Sequence, residues 1–354
     1  MCWFFTFYYL RVTVFKDFDV FVEISLKEDC MYENIKGLSF AQISRFVELK
    51  VPTLNARTKT LFKDEELMRG KTNKVLLKPE QVKTVINDQT NDCNGKVIYI
   101  GNLKGGVGKT TIAYLLADIV SSLGFKTCVV DLDVQANLTL QFMEAKVEQP
   151  TFCDVIDNKI NIKDIIINIT PTLDLIPSSL KNGIIQKSLL TQAPKHYLTW
   201  LNSLCLTYLR SKYDIIIVDT PPSLTTLNSV FCLCLKNNDH LVIPACADEF
   251  SIVGIGMFLE DVNLIRKSYK TTSKPKTSII MNRFHQNQTI NLQMFVKMSK
   301  TYEEFFSKIV IKDLAKIREV TSNKMSISET KHSSELFEIL AELLKEFNIV
   351  KTVS

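Results

Sequence analysis

Positions 103 to 111 read Leu103-Lys104-Gly105-Gly106-Val107-Gly108-Lys109-Thr110-Thr111. Small residues in such a run let backbone N–H groups close around an anion, and a helix starting at its end adds partial positive charge. An apolar run, Val97 to Ile100, comes before it and reads as a buried strand, while Ile112 to Val120 reads as a helix. Strand, glycine-rich turn and helix start together make a phosphate cradle. Gly105, Gly106, Val107 and Gly108 supply backbone, Lys109 reaches the β- and γ-phosphates of a nucleotide, and the Thr110 hydroxyl, with Thr111 beside it, ligates Mg²⁺. The strict form of this motif needs glycine at position 103, which is leucine here. An additional lysine, Lys104, stands at the front of the loop instead.

Two further stretches carry carboxylates at the ends of apolar runs. Val129-Val130-Asp131-Leu132-Asp133 delivers two aspartates where a parallel strand ends, the side of a sheet on which ligands sit. Tyr213-Asp214-Ile215-Ile216-Ile217-Val218-Asp219-Thr220-Pro221-Pro222 places Asp219 after four apolar residues, as suits a Mg²⁺ ligand acting through water. An apolar run ending in aspartate is a weak signal alone. In order after a glycine loop and an Asp-x-Asp it becomes specific.

These segments resemble the deviant Walker A ATPases of the ParA/MinD family, and above all the ParA partition ATPases in their larger plasmid-type form. The resemblance spans roughly Lys96 to Leu344. It departs at Val134, where the family usually has proline, whereas Gln135 and Asn137 fit. It implies ATP and Mg²⁺ as cofactors, with Asp133 orienting or activating water and Asp131 supporting the metal shell. Asn282 and Arg283, in Ile280-Met281-Asn282-Arg283-Phe284, would lie near the adenine. Lys104 would reach the ATP of a facing subunit, so that Lys104, Lys109 and Asp133 form the catalytic set of a slow, dimer-dependent ATPase. Lys316 and Arg318, with Lys312 before them, resemble a late segment that contributes non-specific DNA contacts, although Gln288 stands where many relatives carry arginine. The implied biology is plasmid or chromosome partitioning by a cytoplasmic, nucleoid-associated ATP dimer, with a ParB-like centromere-binding partner stimulating hydrolysis. The alternative is a nucleotide-switched transcriptional regulator in which hydrolysis is incidental.

The elements that must position these residues follow from hydrophobic patterning. Candidate strands are Val97–Ile100, Thr127–Leu132, Leu173–Ile176, Asp214–Val218, His240–Pro244, Thr277–Met281 and Lys308–Ile311. Continuous rather than alternating apolar runs imply strands covered on both faces, hence a doubly wound, mostly parallel α/β sheet over residues 96–354. Ahead of it, residues 31–86 read as a small helical winged helix-turn-helix. One helix covers Phe40 to Val47, Val51-Pro52-Thr53 breaks it, and a second runs from Leu54 to Phe62 carrying Asn55, Arg57 and Lys59 toward DNA. Arg69 to Lys74 is a basic turn, and Lys78-Pro79 opens a third helix. The unit resembles the MerR-like module ahead of the ATPase in larger ParA proteins and implies operator binding and operon autorepression; a helical docking domain is the plainer reading. Residues 87–95 are polar and read as a linker. Residues 1–30 read as an N-terminal extension, strand-like or lying upstream of a start at Met31.

Composition narrows the class. A net charge of +5 permits nucleic-acid contact without arguing for it. Nine cysteines without paired CxxC spacing read as reduced thiols, and four histidines without ligand spacing make no structural zinc site. No apolar run reaches the ~20 residues of a membrane span. The last helix, near Ser333 to Phe347, is amphipathic with an acidic polar face. A membrane-seeking helix would carry Lys and Arg there, so a MinD-like membrane partner is not expected.

Overall fold

The computed structural model describes residues 37–70, 73–144, 149–156, 160–180, 182, 201–330 and 334–352. The 1–30 stretch, the start of the 31–86 unit and Lys71-Thr72 of the basic turn lie outside the described residues. The core is an eight-stranded sheet built from β4 (Lys96–Ile100), β5 (Thr127–Asp131), β6 (Ile167–Thr170), β7 (Leu173–Ile176), β8 (Ile215–Asp219), β9 (His240–Ala245), β10 (Lys276–Phe284) and β11 (Phe306–Lys312). Their order is β11-β10-β9-β4-β8-β5-β7-β6, and every neighbouring pair is parallel except β6 with β7. Every residue of β4, β5, β8 and β9 is buried, the physical reason their sequences run apolar without alternation. The seven anticipated strands are present. β6 is additional: an antiparallel edge strand, Ile-Asn-Ile-Thr, too short to stand out in sequence.

Between the strands lie α4 (Lys109–Ser122), α5 (Thr139–Phe142), α6 (Phe152–Ile156), α7 (Thr207–Lys212), α8 (Thr226–Leu233), α9 (Glu249–Ser268), α10 (Thr289–Thr301) and α11 (Ala315–Ser322), with α12 (Ser334–Glu346) closing the described chain. α4 starts at Lys109, three residues before its apolar run, so Lys109-Thr110-Thr111 form its first turn. Register does the positioning. Ile100 of β4 and Asp131 of β5 both pair with Asp219 of β8, so the three strands end level and their loops share one edge.

Residues 37–86 form β1 (Leu38–Ser39), α1 (Phe40–Phe46), α2 (Val51–Leu61), β2 (Met68–Arg69), β3 (Val75–Leu77) and α3 (Pro79–Val85), with a small antiparallel sheet ordered β1-β3-β2. Ser39 and Gln42 cap α1 reciprocally. α2 begins at Val51 rather than after Thr53: the Val51-Pro52-Thr53 stretch is its first turn, where proline's missing N–H is no loss. This unit is not separate from the sheet domain. Ile43, Phe46, Leu54, Val82 and Val85 share one core with α4 and α12, and the rings of Phe46 and Phe337 sit 5.2 Å apart. Gly124, at φ +87°, permits the closest approach; a Cβ there would meet the Pro79 carbonyl oxygen at 2.2 Å. Nor is 87–95 a free tether. Asn91 donates its N–H to Ile349 O and Lys351 donates to Gln89 O, both at 2.9 Å, laying the stretch along the C-terminal segment. Its polar residues serve a short 3-10 turn and these bonds.

Candidate active site

The glycine loop leaves β4 and turns into α4 with Gly106 at φ +73° and Gly108 at φ +93°. Both lie in the left-handed region that costs a residue bearing a Cβ about 1–2 kcal/mol. Gly108 is also needed for room: a Cβ there would lie 2.1 Å from the Asn282 side-chain nitrogen. Asn282 is buried and donates its amide to Val107 O at 2.8 Å, so it props the loop from beneath. The loop rims a cavity of about 570 Å³ lined by Gly105, Gly106, Gly108, Lys109, Thr110, Thr111, Asp133 and Arg283, among others. Lys109 is buried, and its ammonium donates to Lys104 O at 3.0 Å. Burial pulls its pKa down, against the opposing pull of Asp219 and Asp133.

Beneath the loop sit the two strand-end aspartates, in different states. Asp131 has its carboxylate fully used. One oxygen accepts from Thr139 N and Thr139 Oγ1 at 2.8 Å each, the other from Asp133 N at 3.0 Å. It is the keystone of the turn that presents Asp133, in which Ala136 takes φ +53°, rather than a group free for a metal. Asp219 accepts from Thr110 Oγ1 at 2.7 Å, while its other oxygen is buried with no partner. An orphaned carboxylate oxygen beside a hydroxyl on the phosphate cradle fits Mg²⁺, which Thr110 and Asp219 would hold and which would neutralise phosphate charge. Gln141, on the cavity wall, has a second orphaned buried oxygen.

Burial and the neighbouring Asp131 push the Asp219 carboxyl well above the usual range; burial also pushes Asp131 up, to about 6. A carboxyl raised in the folded state keeps its proton there where the unfolded chain has lost it. The Asp131 contribution to stability therefore falls as pH rises from about 4 to 6, and that of Asp219 falls with rising pH in the same direction. Mg²⁺ held by Asp219 would have to displace the proton there, so its affinity should rise with pH. The increase in Tm given by Mg·ADP over ADP with EDTA should grow as pH rises, and the growth should vanish in Asp219→Asn. An equal increase at every pH would contradict this.

Lys104 faces elsewhere. Its ammonium is held by both Asp248 oxygens at 2.5 and 2.6 Å and by Ser251 Oγ at 3.3 Å, at the start of α9. Asp248 also caps α9 by accepting from Ser251 N at 2.9 Å. Burial alone would raise the Asp248 carboxyl, yet Lys104 and Ser251 hold it below its ordinary value. Asn102 fixes the front of the loop, accepting from Lys104 N and donating to Pro244 O. Asn102, Thr139, Asp248 and Ser251 are site residues that the motifs did not mark. Only Asp248, as a Ser-spaced N-cap, leaves a sequence signal. Thr321 and Ser322 of α11 also line the cavity.

The residues proposed to meet DNA are distributed less favourably. Asn55 and Lys59 are exposed on α2, but Arg57, half-buried, is engaged by its neighbours. It makes two bonds to Asp88 at 2.5 and 2.9 Å, a third to Val85 O, and holds the Asp88 carboxyl down at about 2. Lys316 is paired with Glu319 at 2.9 Å, Arg318 with Asp313, and Lys312 with Glu335 at 2.5 Å. Acidic neighbours thus offset all three late-segment cations. Cys93, Cys128, Cys205, Cys232, Cys234 and Cys246 are free. No helix among the described residues is long and apolar enough to cross a membrane.

Comparison with known proteins agrees with this geometry. An AAA-domain family profile matches residues 95–274, just over half of the chain. An uncharacterised protein of Methanocaldococcus jannaschii is 31% identical over 220 residues, covering 58% of this chain and 80% of the relative. The sporulation initiation inhibitor protein Soj of Bacillus subtilis is 28% identical over 257 residues, covering 71% of this chain and 98% of Soj. The fold is that of an ATP complex of a Cyanothece McdA variant, at a TM-score of 0.64 and 21% identity over 73% of this chain and 98% of that one. On the lysine-fronted loop, the strand-end carboxylates and these matches, the chain belongs to the ParA family of partition ATPases.

Proposed function

We propose that this ATPase serves DNA partitioning. It binds ATP·Mg²⁺ in the loop cavity, pairs with a second copy across the Lys104 face, and associates with DNA in that state. Hydrolysis, stimulated by a ParB-like centromere-binding partner, returns it to single copies. Within one copy Lys109 neutralises phosphate charge and Asp133 orients the attacking water. The observation that carries the reading is the setting of Lys104. It is drawn away from the ammonium of Lys109 toward α9, whose outer side leaves Phe250 81% exposed, with Val253 and Met257 exposed beside it. A charged residue beside uncovered apolar side chains suits a face that a second copy covers. The helices and small sheet of residues 37–86 support an operator-binding unit, with Asn55 and Lys59 outward, and hence autorepression.

The test is ATP turnover with and without duplex DNA and the product of the adjacent open reading frame. Stimulation by both is expected; stimulation by neither, with Lys104 and Lys109 intact, overturns the partition reading. The regulator alternative draws on one contact chain. Asp118 of α4 accepts from Ile327 N at 2.6 Å, and Gln42 of α1 donates to Ser328 O at 2.9 Å, linking the cradle helix to the N-terminal unit. A chain carrying Asp133→Ala that still supports its cellular role would favour that alternative.

A further inference from the structure

From Asn263 to Tyr302 the chain carries eight Lys and Arg and no Asp or Glu, more positive charge than the whole protein's net +5. The fold concentrates the first part of that run at the amino-terminal end of the sheet, opposite the nucleotide cavity. Lys276 opens β10 in register with His240, which opens β9. The turn carrying Lys270 and Lys274 is tied to the turn before β9, since Lys274 N donates to Asn237 Oδ1 at 2.7 Å and Ser273 Oγ to Leu235 O at 2.6 Å. Lys236, Lys267, Lys270, Lys274 and Lys276 are all exposed, and none has an ion pair among the described residues. They contrast with Lys312, Lys316 and Arg318, each held by an acid.

Two of the exposed lysines, Lys236 and Lys276, line a basin of about 870 Å³ whose wall also includes Lys96, Arg210, Asn237 and His240. Asp239 in the wall is used by Arg210 at 2.6 Å and by two backbone N–H groups, which leaves Asp92 as the other lining acid. His240 is 1% exposed and its Nδ1 has no partner, nor does Arg210 Nε. Such orphaned buried nitrogens are rare without a ligand or water to meet them.

We propose that this end of the sheet binds the phosphodiester backbone of duplex DNA. The charge is predominantly positive, with Asp239 taken up by Arg210, spread over a row wider than a single phosphate, and interleaved with the neutral donors Asn237, Thr272 and Ser273. Such a pattern suits a repeating anion read without base contacts. Apart from Cys93 the lining has no apolar side chain, so neither a membrane nor an amphipathic helix finds a surface to bury against. The patch lies roughly 20 Å from the nucleotide end, the length of six-residue β9 at ~3.3 Å per residue. A second copy covering the Lys104 face leaves it open, and a pair of chains presents it twice, which multiplies the hold on one duplex without new contacts.

This assignment rests on the partition reading, and the test separates the two. A mixed-sequence duplex is titrated into the full chain with ATP·Mg²⁺ over a salt series. The variant Lys236→Gln/Lys270→Gln/Lys274→Gln/Lys276→Gln should bind on the order of 10- to 100-fold more weakly at low salt, with the log–log salt slope reduced by about 2–4. Lys274→Glu alone should weaken binding in the same direction, and matching thermal unfolding curves would show both folds intact. Native binding with an unaltered slope in these variants, or loss confined to Lys316→Gln/Arg318→Gln, overturns the surface assignment alone. Competition by polyglutamate or by phosphatidylglycerol vesicles equal to that by DNA overturns the choice of partner. No DNA binding by the native chain overturns the partition reading as well.

Discussion

Lys104→Gln is expected to leave ATP binding intact and to slow hydrolysis by ~10²–10³-fold, the usual effect of removing one donor that meets developing charge. The expectation follows from where the ammonium rests. Asp248 and Ser251 hold it at the start of α9, and only the carbonyl oxygen of Lys104, unaffected by the substitution, touches Lys109. Glutamine can still bond Asp248, so the loop and the α9 cap keep their shapes. What is lost is a positive charge that a second copy could receive. Nucleotide titration and sedimentation, run beside the turnover assay, separate the possibilities. Intact binding with failed dimerisation-linked hydrolysis supports action across the interface, whereas equal loss of ATP binding refutes it.

Asp131→Ala should be the most destabilising single change at the site, by about 3–5 kcal/mol. The carboxylate is fully buried, and its removal leaves Thr139 N, Thr139 Oγ1 and Asp133 N without their acceptor in a space closed to water. Against a typical total of about 5–15 kcal/mol, that is a large share. The denaturation midpoint should fall steeply. Asp219→Asn should not show this fall, because burial and the neighbouring Asp131 already disfavour charge on that carboxyl and asparagine carries none; its defect should be confined to the Mg²⁺ response. If Asp131→Ala instead unfolds like the native chain and loses only Mg²⁺ affinity, Asp131 belongs to the metal shell and the keystone role is wrong.

The contrast between these aspartates shows what the sequence could convey. Gly108, Lys109, Thr110 and Asp219 were legible because their constraints are local: a left-handed turn, a helix start, a buried strand end. The parallel sheet was legible because two covered faces forbid alternation. Asp131 was legible as a strand-end acid but not as a keystone, since Thr139 reaches it only once the turn is built. Asp248 lies 144 residues from Lys104 and Asp88 lies 31 from Arg57, and neither pairing has a local signature. The polar 87–95 stretch looked like a tether because the segment it bonds to lies at the other end of the chain.

That clasp bears on how the protein can be taken apart. The N-terminal unit contributes side chains to the same apolar interior as α4 and α12, and 89–91 is stitched to 349–351. A fragment beginning at residue 95 would present Leu336, Phe337 and Leu340 to water in place of Phe46 and Leu54. The 37–86 unit is therefore not a detachable module that can be exchanged or omitted while the ATPase domain is kept. Melting should proceed as one cooperative event, and any change that loosens α1 will be felt at the far end of the cradle helix.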